Sequence, residues 1–419
     1  MSINKKILPL HEDWAVVILG MAIIIVALAG FILPVPVFNW SSSAELFSKV
    51  LSTKNILLIL LQGLFVFIVA GVGAFITGKE IKSFLLGFPV LYFLTILALI
   101  IAGSGAIRSL NLEAVIISLS IGLIIRNFFK VPEWLQASLS TELYVKVGLV
   151  LLGTSVIFGD ILKAGTLGLI QAVIVVVSVW YFAFWISKKL KVDSELTMML
   201  SSAVSICGVS AAIATSGAIK GDPKKLSYVI SLVLITAIPM MIFMPYMAHW
   251  MGLSQEVTGA WLGGTIDTTG AVVASGTLVG ETALKISTIV KFSQNVLLGI
   301  AAFAISIYWS YTKHPGVDGE QVKPTLGVIW ERFPKFVLGF IAASLLFSFI
   351  IQPEVISGVK VSLKNLQGFW FTLAFTSIGL ETKFSDLFKH ENRRPLYAFL
   401  IAQTFNIIIT LIISYLLFR

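Results

Sequence analysis

The stretch SSAVSICGVSAAIATS, residues 201–216, decides how the rest of the chain is interpreted. It is rich in Ser, Ala and Gly, yet it belongs to a chain in which 57% of the residues are hydrophobic. At membrane depth, sequence this polar is tolerated only where it is buried in protein or lines a cavity. We therefore expect a broken helix here that lines a binding site.

The composition indicates a protein that lies in a membrane along its whole length. Only 12% of the residues are charged, and the mean hydropathy is +0.97. Apolar segments recur to the end of the chain, which predicts an all-α polytopic membrane protein with about thirteen helical segments. No cleavable leader is evident, so we expect an integral protein of a bacterial inner membrane. The predicted segments are 14–33, 55–76, 83–103, 112–127, 142–158, 165–187, 196–219, 226–250, 256–276, 284–312, 336–351, 366–381 and 396–418.

The net charge of +9 does not indicate nucleic-acid binding, because loop cations in a membrane protein usually set its topology. If every segment crosses, most loop Lys and Arg residues lie on the side of the N-terminus, which predicts a cytoplasmic N-terminus. The loop 220–225 is the exception, and it joins that side if segments 196–219 and 256–276 re-enter instead of crossing. Both segments are long enough to cross, so the two topologies stay open.

Short internal matches favour an inverted repeat. The pattern G-x4-F-x-D that starts at Gly153 recurs at Gly379, and Val145-Lys146 recurs as Val290-Lys291. An odd number of crossings separates the copies in each case, as inversion requires. We predict a two-helix extension over 1–82 and a transporter unit over 83–419, with repeats at 112–250 and 256–418.

The first candidate site group lies in the opening stretch. Gly208 is flanked by Ser205, Cys207 and Ser210, and a helix break here would free amide and hydroxyl donors for an anion. The alternative is a tight packing face, because small residues let membrane helices approach closely.

The second group is GGTIDTTGAVVASG, residues 263–276, which contains Thr265, Thr268 and Thr269 around Asp267. A carboxylate this deep inside an apolar segment is costly and marks an ion or proton site by default. The alternative is a structural carboxylate that is satisfied by Thr hydroxyls or by one buried lysine.

The third group follows in KISTIVKFSQNVLLG, residues 285–299. Lys291, Gln294 and Asn295 are spaced i, i+3 and i+4, so they share one helix face. That face could pair with Asp267 or hold an anion. Lys285 and Lys146 are the other basic residues inside segments, and for Lys285 we expect a side chain that reaches the membrane boundary.

At these residues the chain resembles the YeiH-like family of proposed sulfate exporters, within the wider group related to cation/proton antiporters and bile acid transporters. The resemblance covers roughly 83–418 and implies an anion exporter with a moving core, a scaffold and a homodimeric assembly. It departs from the family where a His and an acidic residue are replaced by Asp267 and Thr268, and where an Arg is replaced by Gln294. Its motifs are GLVLLG at 148–153, SICGVSAA at 205–212, the element 264–276, VK at 290–291 and GFIAA at 339–343.

These features together predict a secondary active transporter, not an enzyme, that exports a small anion such as sulfate or a sulfonate by alternating access, with H⁺ or Na⁺ as coupling ion. Asp267 and Lys291 would couple the ion. The predicted substrate-binding residues are Ser205, Cys207, Gly208, Ser210, Thr265, Thr268, Thr269, Gln294 and Asn295.

Two other functions stay open. In a cation carrier, Asp267 would bind the transported ion itself. In an intramembrane enzyme, Asp160, Asp267 and Asp386 would be the candidate carboxylates, although Asp160 and Asp386 lie near segment ends. No metal site or cofactor is expected, because the four histidines are scattered along the chain.

Overall fold

The computed structural model of the chain describes residues 10–109, 114–313, 327–384 and 393–419. Within these ranges the regular structure is helical, apart from one isolated bridge between Trp40 and Ser104, which confirms the predicted all-α class. Short π or 3₁₀ turns extend three of the helices, at Leu46–Val50, Gly153–Ser155 and Leu346–Ile350. The α-helices are α1 (Glu12–Leu28), α2 (Ser43–Glu45), α3 (Thr53–Ile76), α4 (Ile81–Ala102), α5 (Gly105–Ser109), α6 (Ala114–Phe128), α7 (Glu133–Ser138), α8 (Thr141–Leu152), α9 (Phe158–Lys189), α10 (Ser194–Ser205), α11 (Val209–Ile219), α12 (Pro223–Trp250), α13 (Gln255–Thr265), α14 (Thr269–Val279), α15 (Glu281–Lys313), α16 (Gly327–Arg332), α17 (Phe336–Leu345), α18 (Pro353–Glu381) and α19 (Arg394–Phe418).

Seven helical stretches in the described ranges are long and apolar enough to cross a membrane. Each predicted segment falls on a helix or on a broken pair of helices. The largest difference in extent is α18, which begins at Pro353 and not near 366, because Lys360 and Lys364 lower the hydropathy of its first half. The seven stretches are Thr53–Ile76, Ile81–Ala102, Glu133–Ser155, Phe158–Lys189, Pro223–Trp250, Glu281–Trp309 and Arg394–Phe418.

The chain forms two compact units, each assembled from two separate stretches. Unit 1 is Met1–Phe158 with Lys335–Lys383, and unit 2 is Gly159–Pro334 with Phe384–Arg419. The predicted substrate-binding and ion-coupling residues all lie in unit 2. The extension over 1–82 and the two repeats follow other boundaries and stay predictions.

Unit 1 is held by close helix packing and by the ion pairs of a partly buried lysine. A Cβ on Gly122 of α6 would lie 2.8 Å from the Gly379 Cα of α18, so only glycines allow this approach. Lys146 of α8 forms ion pairs with Glu12 and Asp13 of α1, both at 3.1 Å.

Helices α10 and α11 form a hairpin, hairpin 1, whose two ends lie together. Asp193, the N-cap of α10, accepts a hydrogen bond from the Lys225 ammonium at 2.7 Å, and the Asp222 amide donates to Glu195 at 3.0 Å. A continuous helix would separate these ends by more than about 40 Å at 1.5 Å per residue. Segment 196–219 therefore re-enters and does not cross.

Helices α13 and α14 form a second re-entrant hairpin, hairpin 2. Gln255 begins α13, and its side chain lies against Gly280, the residue that ends α14. Gly263 of α13 and Gly276 of α14 both lie against Ser287 of α15, so the two limbs run side by side. The 28 residues of α12 join the open ends of the hairpins, a rise of about 42 Å. The hairpins therefore enter unit 2 from opposite ends.

Candidate functional site

The tips of the two hairpins meet inside unit 2. Hairpin 1 turns at residues 206–208 and hairpin 2 at 266–268. A Cβ on Gly208 would lie 3.0 Å from the Asp267 Cβ, so the turns are in van der Waals contact. The half-helices α10 and α13 are each about 17 Å long, about half of the ~30 Å hydrocarbon thickness of a bilayer. We therefore expect their meeting point near the middle of a bilayer.

Gly208 is required at the tip of hairpin 1 for two independent reasons. Its backbone has φ 60° and ψ −111°, a conformation that residues with a side chain rarely adopt. A Cβ at this position would also lie 2.6 Å from Cγ1 of Val233. The predicted helix break therefore has a backbone cause as well as a compositional one.

Lys291 of α15 binds the tip of hairpin 1 through neutral groups. Only 1% of its surface is exposed, and its ammonium donates to the Ile206 carbonyl and to Oε1 of Gln294, both at 2.8 Å. Within the described ranges no carboxylate lies at ion-pair distance from this ammonium. The Gln294 amide in turn donates to Ser205 and Gly264 carbonyls at 2.8 and 3.2 Å, which links the two hairpins.

Polar residues of α19, which sequence reasoning missed, complete this frame. Asn406 donates to the Val204 carbonyl at 3.0 Å and to the Thr265 carbonyl at 3.2 Å, and Gln403 donates to the same Thr265 carbonyl at 3.2 Å. The available signal was a polar stripe at 403, 406, 410 and 414 in an otherwise apolar helix, spaced so that all four share one face. Gln171 of α9 similarly donates to the Ala260 carbonyl at 2.8 Å.

The helix ends at the tips differ in how their backbone groups are satisfied. The carbonyls that end α10 and α13 accept hydrogen bonds from Lys291, Gln294, Gln403 and Asn406. Helices α11 and α14 begin at the same place, and the first amides of any helix have no intrahelical acceptor. The positive ends of two helix dipoles therefore converge beside a buried ammonium, which favours an anion.

Asp267 lies between these groups with 1% of its surface exposed. It interacts electrostatically with Lys291, and the Gln403 amide reaches its carboxylate. Its Oδ2 atom has no hydrogen-bond partner. The Thr268 hydroxyl caps α14 by accepting from the Ala271 amide at 3.4 Å, and it makes no described hydrogen bond to this oxygen.

The remaining predicted residues divide into a buried floor and a more open rim. Cys207, Thr265 and Asn295 are buried, whereas Thr268 and Thr269 are half-buried and Ser210 is exposed at the start of α11. Thr269 accepts a hydrogen bond from Asn295 at 3.4 Å, so floor and rim touch. The Ser205 hydroxyl donates to the Ser201 carbonyl of its own helix at 2.7 Å, and its backbone carbonyl is what joins the site.

Of the two other carboxylates considered for an enzyme, Asp160 does not lie in this site. Asp160 is exposed in the first turn of α9, and Asp386 lies outside the described residues. Among the described residues no group of three or more His, Cys, Asp or Glu side chains lies together to hold a metal ion.

Comparison with known proteins places the chain among membrane proteins. Residues 86–398 match the family described as conserved hypothetical protein 698. A UPF0324 membrane protein of Rhodopirellula baltica is 41% identical over 82% of this chain and 64% of its own length. A UPF0324 membrane protein of Nitratidesulfovibrio vulgaris is 38% identical over 83% of this chain and 62% of its own length, and one of Nitrosomonas europaea is 29% identical over 74% and 73%.

The chain thus spans 64% and 62% of the length of the first two relatives. No solved structure matches the chain. The resemblance to YeiH-like exporters and to the wider transporter group stays a prediction.

Proposed function

Because the chain belongs to the family described as conserved hypothetical protein 698 and is an integral membrane protein, we propose that it is a secondary active transporter of a small anion. One observation carries this proposal. Two re-entrant hairpins enter unit 2 from opposite ends, and their tips meet at Gly208 and Asp267 beside the buried Lys291. In secondary transporters, broken helices meet near the middle of the bilayer, and their N-termini face the anionic group of the substrate.

The anion would bind at the first turns of α11 and α14. The rim donors are the amides and hydroxyls around Ser210, Thr268 and Thr269. Lys291 supplies the positive charge from the buried side of the site. An ammonium has three donor hydrogens, and its two described hydrogen bonds use two of them. Tetrahedral oxyanions, sulfate and sulfonates, match this set of several donors around one charge.

Asp267 would carry the coupling ion, H⁺ or Na⁺. Its carboxylate is buried at the contact of the two tips. The same conformational change would therefore act on a cation bound there and on the anion. Unit 2 holds the whole site and is the candidate moving core, with unit 1 as the candidate scaffold. A homodimer is the assembly that the family resemblance implies.

The proposed orientation follows from charge. The open end of hairpin 1 collects Lys188, Lys189 and the loop 220–225, and loops of this kind lie in the cytoplasm. The re-entrant topology removes the one exception to the positive-inside rule that full crossings would create. We therefore place this end, and the N-terminus, on the cytoplasmic side of a bacterial inner membrane.

The test is anion counterflow in proteoliposomes that are loaded with sulfate, methanesulfonate or chloride. Wild-type protein is expected to exchange radiolabelled sulfate or sulfonate, and Lys291→Met is expected to lose this exchange. Lys285→Met is the matched control, because Lys285 lies on the same helix and is paired with Glu281 at 3.0 Å. Exchange that is unchanged in Lys291→Met would refute the proposed site.

One observation favours a second function, a cation carrier, namely the unpartnered Oδ2 of Asp267. In that case Na⁺ flux would occur without any anion and would end in Asp267→Asn. Anion exchange by the same variant would separate the two functions.

A further inference from the structure

Four buried side-chain oxygens around hairpin 2 have no hydrogen-bond partner in the described part of the chain. They are Oγ1 of Thr265, Oδ2 of Asp267, Oδ1 of Asn295 and Oε1 of Gln403. All four side chains are more than nine-tenths buried. An unpaired polar atom in the interior is costly, so a cluster of them calls for a ligand.

The two amides in this set have their nitrogens already engaged. Gln403 Nε2 donates to the Thr265 carbonyl and to Sδ of Met240, both at 3.2 Å. Asn295 Nδ2 donates to Oγ1 of Thr269 at 3.4 Å. Their carbonyl oxygens are therefore the ends left to face a ligand.

All four residues belong to, or touch, the same tip. Thr265 and Asp267 flank the turn of hairpin 2, Gln403 binds at Thr265, and Asn295 binds at Thr269. The described hydrogen bonds of the Lys291 ammonium and the Gln294 amide go to backbone carbonyls and to each other, and not to these four oxygens. The set thus consists of three acceptors, one carboxylate oxygen and two amide oxygens, and of one hydroxyl, which can also accept or bind a cation through its oxygen.

We propose that this set is a binding site for a bare monovalent cation of the Na⁺ class, which is the coupling ion of the transporter. Oxygen ligands at an unwound helix end suit Na⁺. One carboxylate beside the positive Lys291 is too little negative charge for a divalent ion, which takes more carboxylates or keeps its water. A proton on Asp267 would pair Oδ2 with only one of the other oxygens, whereas a cation can contact all four at once.

A cation in this site would raise the affinity for the anion directly. This part of the inference rests on the proposed function. Asp267 lies at the contact of the two tips, so Na⁺ bound there places a positive charge beside the N-termini of α11 and α14. Each ligand therefore strengthens binding of the other, by thermodynamic reciprocity. We expect Na⁺ to raise sulfate affinity about fivefold or more.

The decisive variant is Thr265→Val, which removes one proposed ligand at constant shape. Since the Thr265 hydroxyl makes no hydrogen bond in the described structure, its loss should leave the melting temperature unchanged or raise it. Na⁺ affinity should nevertheless fall about 10-fold or more, the usual cost of disturbing a metal site. Thr288→Val is the matched control, because it removes another buried, unpartnered hydroxyl that lies on α15 and not at the tip.

The experiment measures thermal unfolding and ²²Na⁺ binding of the full chain in detergent, with NaCl, KCl or choline chloride at constant ionic strength. The expected result is stabilisation by Na⁺ alone, lost in Asp267→Asn, weakened in Thr265→Val and kept in Thr288→Val. Equal Na⁺ affinity in Thr265→Val and wild type would overturn the ligand set. Stabilisation by acid with no response to Na⁺ would overturn it in favour of a proton.

The two proposals fail separately. Sulfate added in choline medium stabilises the protein if the anion site exists, whatever Na⁺ does. A sulfate response without ²²Na⁺ binding therefore overturns only the cation site. An absent sulfate response with intact ²²Na⁺ binding supports the cation site and refutes the anion carrier.

Discussion

Two lysines inside apolar helices, one in each unit, are held in opposite ways. Lys146 in unit 1 is surrounded by Glu12, Asp13 and Glu142 at 3.1, 3.1 and 3.4 Å. Lys291 in unit 2 has a helix-end carbonyl and an amide as its hydrogen-bond partners. Both occur in the same Val-Lys dipeptide, so local sequence does not distinguish them.

We interpret this difference as that between a structural charge and a proposed functional one. Three carboxylates surround Lys146, so the net charge at this position is negative and does not attract an anion. Neutral dipoles hold the Lys291 ammonium in place without cancelling its charge. A buried charge is costly unless it is compensated, and beyond its interactions with Cys207 and Asp267 we propose that the substrate anion compensates Lys291.

The largest effect should come from Lys146→Met. It leaves the buried Asp13 beside Glu12 and Glu142 without their cation, and removing one partner of a buried ion pair costs about 3 kcal/mol. We expect a large drop in melting temperature in detergent, with sulfate binding per folded molecule unchanged. Lost sulfate binding in a fully stable Lys146→Met protein would reverse the assignment of the two lysines.

Lys291→Met should do the opposite of Lys146→Met: it should weaken sulfate binding strongly and stability only a little. Unfolding is expected to become easier by about 1–2 kcal/mol, because the Ile206 carbonyl and the Gln294 amide lose a donor. Sulfate affinity should fall by at least about 30-fold, since truncating a desolvated charge partner costs 2 kcal/mol or more. Equilibrium binding of labelled sulfate measures this, with Lys285→Met as control. Wild-type affinity in Lys291→Met would contradict a functional lysine.

A comparison of two glycines tests the backbone conformation of the tip of hairpin 1. Gly208→Ala at the tip forces an L-residue into a strained conformation and against Val233, at a cost of about 1–3 kcal/mol. Gly368→Ala in α18 of unit 1 meets nothing within 4 Å and should stabilise its helix by about 0.5–1 kcal/mol. Thermal unfolding of both variants tests this. Equal melting temperatures for the two would mean that the tip is not shaped as described.

The smallest effect concerns the open end of hairpin 1. Partial burial raises the pKa of Asp193, but hydrogen bonds from Lys225 and from backbone amides outweigh it and hold the pKa below its usual value. Stabilisation by Asp193 is therefore complete above the ordinary Asp pKa and is lost as pH falls through the lowered one. Near neutral pH, Lys225→Met should lower the free energy of unfolding by about 0.5 kcal/mol. Once the pH is below the lowered pKa of Asp193, the substitution should change nothing. A pH series of melting curves for Lys225→Met and wild type checks the sign, and a constant difference at all pH values would contradict it.

Much of the fold could be predicted because hydropathy is local. The apolar segments and the break at Gly208 follow from composition and from glycine's backbone freedom. Hydropathy cannot separate a crossing helix from a hairpin of two half-length helices, since both bury the same apolar residues. The contact between Asp193 and Lys225 decides this, and it joins residues that are distant in sequence.

The candidate site was predicted in part for the same reason. Lys291, Gln294 and Asp267 stand out as polar residues inside apolar segments. Gln403 and Asn406 were missed because α19 is a regular span without glycines, and their role depends on helix ends that the chain brings to them from hairpins 1 and 2. The assembly of each unit from two separate stretches is likewise a long-range property.

The most direct test of the hairpin-tip anion site is protection of a thiol at its rim. Cys207 is the single native cysteine, so a Cys207→Ser, Ser210→Cys protein carries one thiol at the exposed first turn of α11. The measurement is the rate of its alkylation by a small maleimide, with and without saturating sulfate or methanesulfonate. We predict that the anion slows alkylation and that Lys291→Met abolishes this protection. An alkylation rate that no anion changes, or protection that persists in Lys291→Met, would contradict the account.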